Sequence, residues 1–521
     1  MVSGITSAAP IGKFLDGNLP ATTPAGSGPV TWGITPAFPN LSFNDPLVIT
    51  MHPNENRMFV ASRGGVIHQF VNDANVSAKT LVADLSDRTA VVWDGGFLGL
   101  AFHPEFGQAG SPNRNYVYAY YTAKGPNGES GPNQFAGFAC PTTGTFYGTY
   151  LRLSRFTFQD GTYILDPSSE LQMINLRLYE ETHRGGGLTF AKDGYLYLTI
   201  GDQARHLTAQ NIVDNFEGGV IRIDVDQNSA TSHAPRRKMG VHAGESDEFT
   251  GVGYYVPNDN PWLSTSSALF EEFWEIGHRA PHRMTMDQET GELWIGEIGQ
   301  GSREEITVVK KATNAGWPVY EGNLYHNIGN CGSNTTDIGL GTYNGPVVDF
   351  LRSESNALIG GYVYRGNNHP TLVGKYICGG YSQNRIFVVT RNAQGTGTKE
   401  EITSFTPGQL ATFGQDHDGE IYLGGLGNNV KLYTLQSSGT GGQAPQFLSQ
   451  TGAFKNVQTL EPEDGVIPYD MVEPFWSDGA EKFRWLAIPN DGSHNTAAEQ
   501  IQYSENGNWG FPKGAALIKH F

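Results

Sequence analysis

The sequence predicts an all-β protein: a six-bladed β-propeller with a small C-terminal β-rich module. The 521 residues include 67 glycines, 28 prolines and 12% aromatic residues, a composition typical of many short strands joined by tight turns. One strand–turn–strand unit recurs six times, which leaves about 65 to 70 residues for each blade, enough for four strands and long loops. A β-sandwich would not explain this regular recurrence.

Each copy of the repeated unit begins with an apolar strand. It continues, after a turn rich in Asp, Asn or Gly, into a second strand of the Leu-Tyr-Leu type, and this alternation indicates a hairpin. The six copies lie at 49–61, 99–120, 188–200, 284–296, 360–378 and 413–423. In a ring of blades the loops of equivalent strands converge, so we expect one shared site near the axis.

Four segments are predicted along the chain. Residues 1–28 form a flexible tail, 29–435 the propeller, 436–444 a Gly- and Ser-rich linker, and 445–521 the aromatic-rich C-terminal module. The tail has no basic-then-apolar signal pattern, and we interpret it as what remains after Met1 replaced an export signal. The protein is therefore expected to be periplasmic or secreted, and its natural chain is expected to continue past Phe521.

The net charge of the chain argues against some classes of function. With a formal net charge of -18 and no Lys/Arg-rich segment, the chain is not expected to bind nucleic acid, which requires a basic face. The acidity contributes to solubility, with calcium binding by some carboxylates as the alternative. No apolar run approaches the ~18 residues of a membrane span. Of the three cysteines, Cys140 and Cys331 lie in loop-like sequence and are the favoured disulfide, whereas Cys378 is left over.

Two loops carry the residues best suited to chemistry. His183 and Arg184 lie on a glycine-rich turn ahead of the third repeat, which ends in a Gly201-Asp202-Gln203 loop. A second loop, His278 to His282, precedes the fourth repeat and includes Arg279. A metal-assisted hydrolase with His183, His278, His282 and Asp202 as ligands is one interpretation of this clustering.

The order of motifs resembles the glucose/sorbosone dehydrogenase family, which comprises the soluble quinoprotein sugar dehydrogenases and their hedgehog-interacting relatives. The resemblance covers roughly residues 45 to 435. The matching segments are Gly96–Pro104, His183–Gln203, Ala209–Asn211, Gly219–Asp224, Val256–Pro261, Gly277–Arg279, Glu304–Ile306 and Asn314–Pro318.

The resemblance implies an oxidoreductase that oxidises an aldose or related carbohydrate alcohol with pyrroloquinoline quinone (PQQ) and calcium. It assigns His183 as the general base, since a neutral imidazole suits that role, and Arg279 as the stabiliser of the reduced quinone. The cofactor-binding candidates that it implies are Asp94, Arg184, Asp202, Gln203, His282 and Arg385. Its candidate calcium ligands are Gly299, Gln300 and Glu305. Each assignment has an alternative. His183 would be a hydrogen-bonded loop histidine, and Arg279 would form a charged pair that ties two blades together. The candidate calcium ligands would belong to an ordinary glycine-rich blade loop.

The sequence also departs from the family pattern. Family enzymes follow the His-Arg pair with Asn-Pro-Gln, where this chain has Ala280-Pro281-His282. They hold the quinone carboxylates with a lysine and two arginines, whereas the corresponding Tyr381-Ser382-Gln383 and Gln409-Leu410-Ala411 are uncharged, with Arg385 close by. Ile359–Gly366 resembles the hedgehog-interacting branch. The alternative function is therefore a cofactor-free propeller that binds a glycan or a protein partner through its axial loops.

The C-terminal module has its own resemblance. Pro445–Ser449 and Trp476–Ala480 resemble segments that accompany cytochrome c domains in some bacterial proteins. This implies a cytochrome c-type electron acceptor, and a plain β module is the alternative. Trp476 and Trp485 are interpreted either as a sugar-binding face or as core residues.

Overall fold

The computed structural model describes residues 31–125, 148–179, 182–240, 248–326, 338–438, 453–470, 481–488, 496–505, 507–512 and 515–520. It divides into two compact units. One is Trp32–Gln436, and the other combines Ser437–Phe521 with the N-terminal residues up to Thr31. The proposed disulfide between Cys140 and Cys331 lies outside the described residues, and Cys378 is a buried free thiol.

The larger unit is built from strands. In chain order they are β1 (Thr31–Pro36), β2 (Pro46–Met51), β3 (Arg57–Ser62), β4 (Val66–Val71), β5 (Thr80–Asp84), β6 (Phe97–Phe102), β7 (Tyr116–Lys124), β8 (Thr149–Phe158), β9 (Leu165–Arg177), β10 (Leu188–Phe190), β11 (Leu196–Ile200), β12 (Gly219–Ile223), β13 (Ser232–His233), β14 (Val256–Pro257), β15 (Phe273–Ile276), β16 (Pro281–Met286), β17 (Leu293–Glu297), β18 (Arg303–Val308), β19 (Thr313–Asn314), β20 (Tyr320–Glu321), β21 (Leu324–Tyr325), β22 (Thr342–Tyr343), β23 (Val348–Leu351), β24 (Leu358–Val363), β25 (Tyr376–Gly380), β26 (Arg385–Arg391), β27 (Gly397–Ser404), β28 (Gln409–Gln415), β29 (Ile421–Leu426) and β30 (Tyr433–Ser438). Short 3-10 helices lie at His206–Gln210 and Pro370–Leu372.

Six of the sheets in the described chain are blades. Their strand orders are β2-β3-β4-β5, β6-β7-β8-β9, β10-β11-β12-β15-β19-β22, β16-β17-β18-β23, β24-β25-β26-β27 and β28-β29-β30-β1. The first strand of each blade contacts the first strand of the next, and β28 contacts β2, so the inner strands close into a ring. The protein is therefore a six-bladed β-propeller, which confirms the predicted fold class. The sixth blade takes its outermost strand, β1, from the beginning of the described chain.

Adjacent blades pack against each other through apolar side chains on both faces of each sheet. Every residue of β6 is buried, as expected for a strand packed between two neighbouring blades. Phe59 of the first blade meets Phe102 of the second edge to face, with ring centroids 4.7 Å apart. Full burial of a phenylalanine stabilises the fold by about 1.5–3 kcal/mol.

The smaller unit contains β31 (Phe454–Asn456), β32 (Glu461–Pro462), β33 (Ile467–Pro468), β34 (Phe483–Ala487), β35 (Ala516–His520) and a 3-10 helix at Ala497–Glu499. The last three strands form an antiparallel sheet. Trp485 is buried and meets Phe454 edge to face at 4.9 Å, so it is a core residue of this unit. Trp476 and the two segments that resemble cytochrome-associated modules lie outside the described residues. Within the described ranges, no helix is long and apolar enough to span a membrane.

Candidate functional site

The candidate site lies at the end of the propeller where the inner strands begin. Asp94 precedes β6, His183 precedes β10 and Arg279 precedes β16, so three neighbouring blades bring these residues together. The loop between β11 and β12 returns to the same end and carries Asp202. Because the inner strands all run in one direction along the ring, the loops ahead of them gather at one end of the propeller.

His183 and Asp202 form a closely hydrogen-bonded pair. The Nδ1 atom of His183 lies 2.6 Å from Oδ1 of Asp202, and both side chains are buried. A carboxylate accepts, so Nδ1 carries the hydrogen and the lone pair of the neutral ring is on Nε2. This is the arrangement of a general base whose tautomer is fixed by a neighbouring carboxylate.

The carboxylate of Asp202 also accepts hydrogen bonds from other groups. Its Oδ2 accepts hydrogen bonds from Nδ1 of His206 at 2.8 Å and from Nε1 of Trp317 at 2.7 Å. The backbone N–H of Ala204 donates to Oδ1 at 2.7 Å. Burial alone would raise the pKa of Asp202, but the two histidines and their hydrogen bonds hold it far below its ordinary value. Asp202 is therefore a permanent anion at the centre of the site.

The pKa of His183 is lowered from its ordinary 6.5. Burial is the largest cause and the positive charge of Arg279 adds to it, while Asp202 acts in the opposite direction. The imidazole is consequently neutral at physiological pH, as a proton acceptor must be.

The backbone at this site is strained. His183, Gln203 and Ala204 have φ angles of 62°, 49° and 58°, in the left-handed region that non-glycine residues rarely occupy. Each such residue costs about 1–2 kcal/mol. Strain of this kind persists where surrounding contacts enforce it, and it concentrates at functional sites.

Asp94 joins the second blade to this loop. Its Oδ2 accepts the backbone N–H of His183 at 2.8 Å, and its Oδ1 pairs with Arg184. His282 lies close enough to Asp94 for each to influence the other's pKa. Burial, reinforced by Arg283, lowers the pKa of His282 to about 3. His282 is therefore neutral as well.

Arg279 is a buried cation held by neutral groups. Its Nε and Nη2 donate to Oε1 of Gln300 at 3.0 and 2.6 Å, and its Nη1 donates to the Ile298 carbonyl at 2.8 Å. Its guanidinium lies 5.5 Å from the ring centroid of Trp317. Among the described residues no carboxylate lies within ion-pair distance of it, but Asp202, Glu304, Glu321 and Glu297 lie near enough to favour its charged form. A bound anion or electron-rich group could contact this guanidinium directly.

His278 has a structural role beneath Arg279. Its Nδ1 lies 2.5 Å from Oε2 of Glu297, and its Nε2 lies 3.5 Å from Oε2 of Glu275. Despite complete burial, these two carboxylates raise the pKa of His278 to about 10, so the ring is an imidazolium. A protonated ring cannot be a metal ligand. Within the described ranges, no three His, Cys, Asp or Glu side chains converge as a metal site.

The proposed calcium ligands differ in how available their oxygens are. The side-chain oxygen of Gln300 is used by Arg279, and the Gly299 carbonyl accepts a hydrogen bond from Arg352 at 3.4 Å. The side-chain carboxyl of Glu305 has no hydrogen-bond partner among the described residues. Burial and repulsion by Glu297 raise the pKa of Glu305 well above its ordinary value. A cation would relieve that repulsion, so Glu305 is the best suited of the three.

Two other cofactor-binding candidates make separate contacts. Gln203 accepts the backbone N–H of Tyr179 at 3.1 Å. Arg385 begins β26 and faces Glu401 at 3.5 Å, and none of its contacts in the described chain involves the other candidates. Tyr381 and Gln409, which begin the two uncharged segments described in the sequence analysis, contact each other: the Tyr381 hydroxyl donates to Oε1 of Gln409 at 2.7 Å.

Two residues of the site were not identified from the sequence. His206 lies four residues after Asp202 and shares its carboxylate, and that short spacing is the signal that points to it. Trp317 belongs to the matching segment Asn314–Pro318, but its indole reaches Asp202 from a distant loop. Only the three-dimensional structure shows that contact.

The chain matches one protein family and several known proteins. The sequence model described as "Glucose / Sorbosone dehydrogenase" matches residues 43–244 and 238–434. The chain is 25% identical to the aldose sugar dehydrogenase YliI of Escherichia coli, over 73% of this chain and 86% of that protein. It is also 25% identical to the HIPL1 protein of Arabidopsis thaliana, over 71% of this chain and 59% of that protein. The chain thus spans less than two thirds of the length of HIPL1.

A solved structure shows the same fold. The apo-form of the soluble aldose sugar dehydrogenase from Escherichia coli superposes with a TM-score of 0.56 at 19% identity, covering 78% of this chain and 99% of that one. The family match extends over most of the propeller, from the first blade to the last. This chain belongs to the glucose/sorbosone dehydrogenase family.

Proposed function

We propose that this protein is an oxidoreductase that oxidises an aldose or a related carbohydrate alcohol, with PQQ and calcium as cofactors. The observation that carries the proposal is the 2.6 Å contact between His183 and Asp202, which leaves Nε2 of a neutral imidazole as the proton acceptor. Similarity to the aldose sugar dehydrogenase YliI supports a carbohydrate as the substrate.

The residues fit the reactive end of such a quinone. Arg279 is a buried guanidinium with neutral partners, and a positive charge of this kind attracts an electron-rich oxygen. Arg279 would therefore hold the quinone oxygens. Glu305, a carboxyl without a hydrogen-bond partner in the described chain, would contribute to calcium binding.

When bound, PQQ supplies the hydride acceptor. The protein handles the proton: His183 removes it from the substrate hydroxyl at Nε2, and the resulting imidazolium is stabilised by Asp202. His206 and Trp317 keep Asp202 ionised and oriented, because both donate to its second oxygen. Proton transfer to a positioned base of this type contributes typically about 10²–10⁴-fold to a rate.

A titration of the purified protein with PQQ in the presence of calcium tests this function, followed by calorimetry and the visible spectrum. We expect stoichiometric binding and reduction of the quinone when an aldose is added. The matched variant His183→Gln should bind PQQ as before but reduce it far more slowly. Absence of binding at tens of micromolar PQQ would overturn the quinone mechanism.

The alternative function is a cofactor-free propeller that binds a glycan or protein. The observation that favours it is the hydrogen bond between Tyr381 and Gln409, two neutral side chains at positions where family enzymes carry cations. Similarity to HIPL1 is compatible with this alternative. Saturable glycan binding without PQQ, abolished by Tyr381→Ala, would support it.

The proposal also includes the setting of the reaction. We propose that the protein acts in the periplasm or after secretion, and that it passes electrons to a cytochrome c-type acceptor. Reduction of cytochrome c by the PQQ-loaded protein in the presence of an aldose tests the acceptor. Fractionation of cells that express the natural gene tests the location.

A further inference from the structure

A cavity of about 570 Å³ occupies the propeller axis. Residues of all six inner strands line it, and so do turns that follow them, including Pro53, Pro104 and Asp416–Gly419. His183 and Arg279 lie ahead of the inner strands instead. The cavity is therefore the opposite half of the axial channel, distinct from the candidate active site.

One cation lies across this channel. Arg283 of the fourth blade donates from Nη2 to the Leu47 carbonyl of the first blade at 2.6 Å, and from Nη1 to the Leu98 carbonyl of the second blade. Its Cβ lies 3.1 Å from the place that a Cβ on Gly360 would occupy, so a larger residue there would press on the arginine. The glycine at position 360 therefore leaves room for the Arg283 side chain.

The charge of Arg283 is uncompensated. None of the ion pairs among the described residues includes Arg283, and its Nε is buried without a hydrogen-bond partner. The cavity is lined by apolar side chains, including Leu100, Phe190 and Phe413, and by polar ones, including Asp416 and Asp418 in the turn after β28. Burial lowers the pKa of Arg283 to about 10, opposed only by Tyr362.

An unpaired charge in such surroundings is unfavourable until an opposite charge reaches it. Two backbone carbonyls solvate the guanidinium, but they carry only partial charges. The cavity next to Arg283 is large enough for a small anion with several water molecules, since a water molecule occupies about 30 Å³. An anion there would supply the missing partner and a hydrogen-bond acceptor for Nε.

We propose that the axial channel binds a small monoanion at Arg283, either an inorganic ion of the size of chloride or nitrate or the carboxylate of a small organic acid. The proposed anion site does not rest on the proposed sugar oxidation and involves neither PQQ nor calcium. It also ties together the first, second and fourth blades, whose inner strands meet at Arg283. Occupancy should therefore stabilise the whole ring.

Thermal unfolding of the full chain at constant ionic strength tests the site, with fluoride as the background anion and bromide, nitrate, acetate or benzoate as the probe. We expect a saturable increase of Tm by about 1–3 °C, because a ligand that binds only the folded state stabilises it. The variant Arg283→Met should lose this increase. Arg365→Gln is the matched control, since Arg365 lines the same cavity but is paired with Asp287 and Glu289.

The probes separate the two sources of the anion. An effect of bromide and nitrate assigns an inorganic ion, and a stronger effect of acetate or benzoate assigns an organic carboxylate. An equal response of wild type and Arg283→Met would overturn the proposal. If Arg283→Met does not fold, crystals of the wild type soaked in bromide decide: an anomalous peak in contact with the guanidinium supports the site, and its absence contradicts it.

Discussion

Trp317 and Asp202, 115 residues apart in sequence, are joined by a 2.7 Å hydrogen bond from the indole Nε1 to the carboxylate Oδ2. The bond connects the loop after β19 to the loop after β11. Asp202 also contacts His183 through its other oxygen, so the orientation of the imidazole depends on a residue from a separate loop. The candidate base is fixed by tertiary contacts and not by its own loop alone.

Replacing Asp202 with asparagine should slow sugar oxidation by about 10²–10⁴-fold, because the amide no longer secures the Nδ1–H tautomer of His183. Steady-state kinetics of the PQQ-loaded protein measure the effect. Trp317→Phe is the control, since it removes one donor and leaves the His183 contact, and it should have a much smaller effect. Equal losses in both variants would contradict this assignment.

Sugar oxidation should depend on pH through His183. Since the neutral ring is active and its pKa is lowered, kcat/KM should fall only below pH 6.5 and stay level above it. Arg279 contributes to the lowering, so Arg279→Gln should move the acid limb to higher pH, alongside its loss of rate. An unchanged limb in that variant would show that another group controls the profile.

His278 should stabilise the fold in a pH-dependent way. Its pKa is raised to about 10, so its contribution is fully present below pH 6.5 and is lost as the pH rises through about 10. His278→Gln, which leaves Glu275 and Glu297 without their cation, should lower the free energy of unfolding at pH 7 by about 3–5 kcal/mol. Urea unfolding at pH 7 and pH 10.5 measures both effects.

The exposed pair of Arg114 with Asp160 provides the control for that experiment. Arg114→Gln should leave the urea midpoint nearly unchanged, because a surface ion pair contributes little. The free energy of unfolding of the wild type should exceed that of His278→Gln by less at pH 10.5 than at pH 7. An equal difference at the two pH values would contradict the role of the imidazolium.

Gly201 should be essential for the geometry of the site. A Cβ at this position would collide with the carbonyl oxygen of His183 and lie 3.0 Å from that of Arg279. Gly201→Ala should therefore displace both loops and lower kcat/KM by roughly 10²-fold. Gly301→Ala, where a Cβ would have no heavy atom within 4 Å, is the control. Full activity of Gly201→Ala with an unchanged structure would refute this prediction.

The fold was predictable because its signals are local. Alternating strands and Asp- or Gly-containing turns specify each hairpin, and all six repeated units form the first two strands of a blade. The extension of the third blade by β19 and β22 had no such signal, since both strands are two residues long. Packing against neighbouring strands defines them.

The site was predictable only in part. His183, Arg184, Asp94 and Asp202, which the resemblance implies as candidates, lie close together, because these loops converge at one end of the propeller. The partner of Arg279 was not predicted: the side-chain oxygen of Gln300, expected to bind calcium, accepts hydrogen bonds from the arginine instead. Whether a polar residue is free or already bound depends on side-chain contacts that the sequence does not contain.

The outermost strand of the last blade, β1, precedes the other described strands in the chain. At about 5–20 residues per second, a ribosome needs roughly 20 to 80 seconds after making β1 to produce its partner β30, about 400 residues later. During that interval β1 lacks β30, its partner in the described sheet, and an unpaired strand is prone to wrong associations. The nascent chain must therefore keep β1 available until β30 emerges.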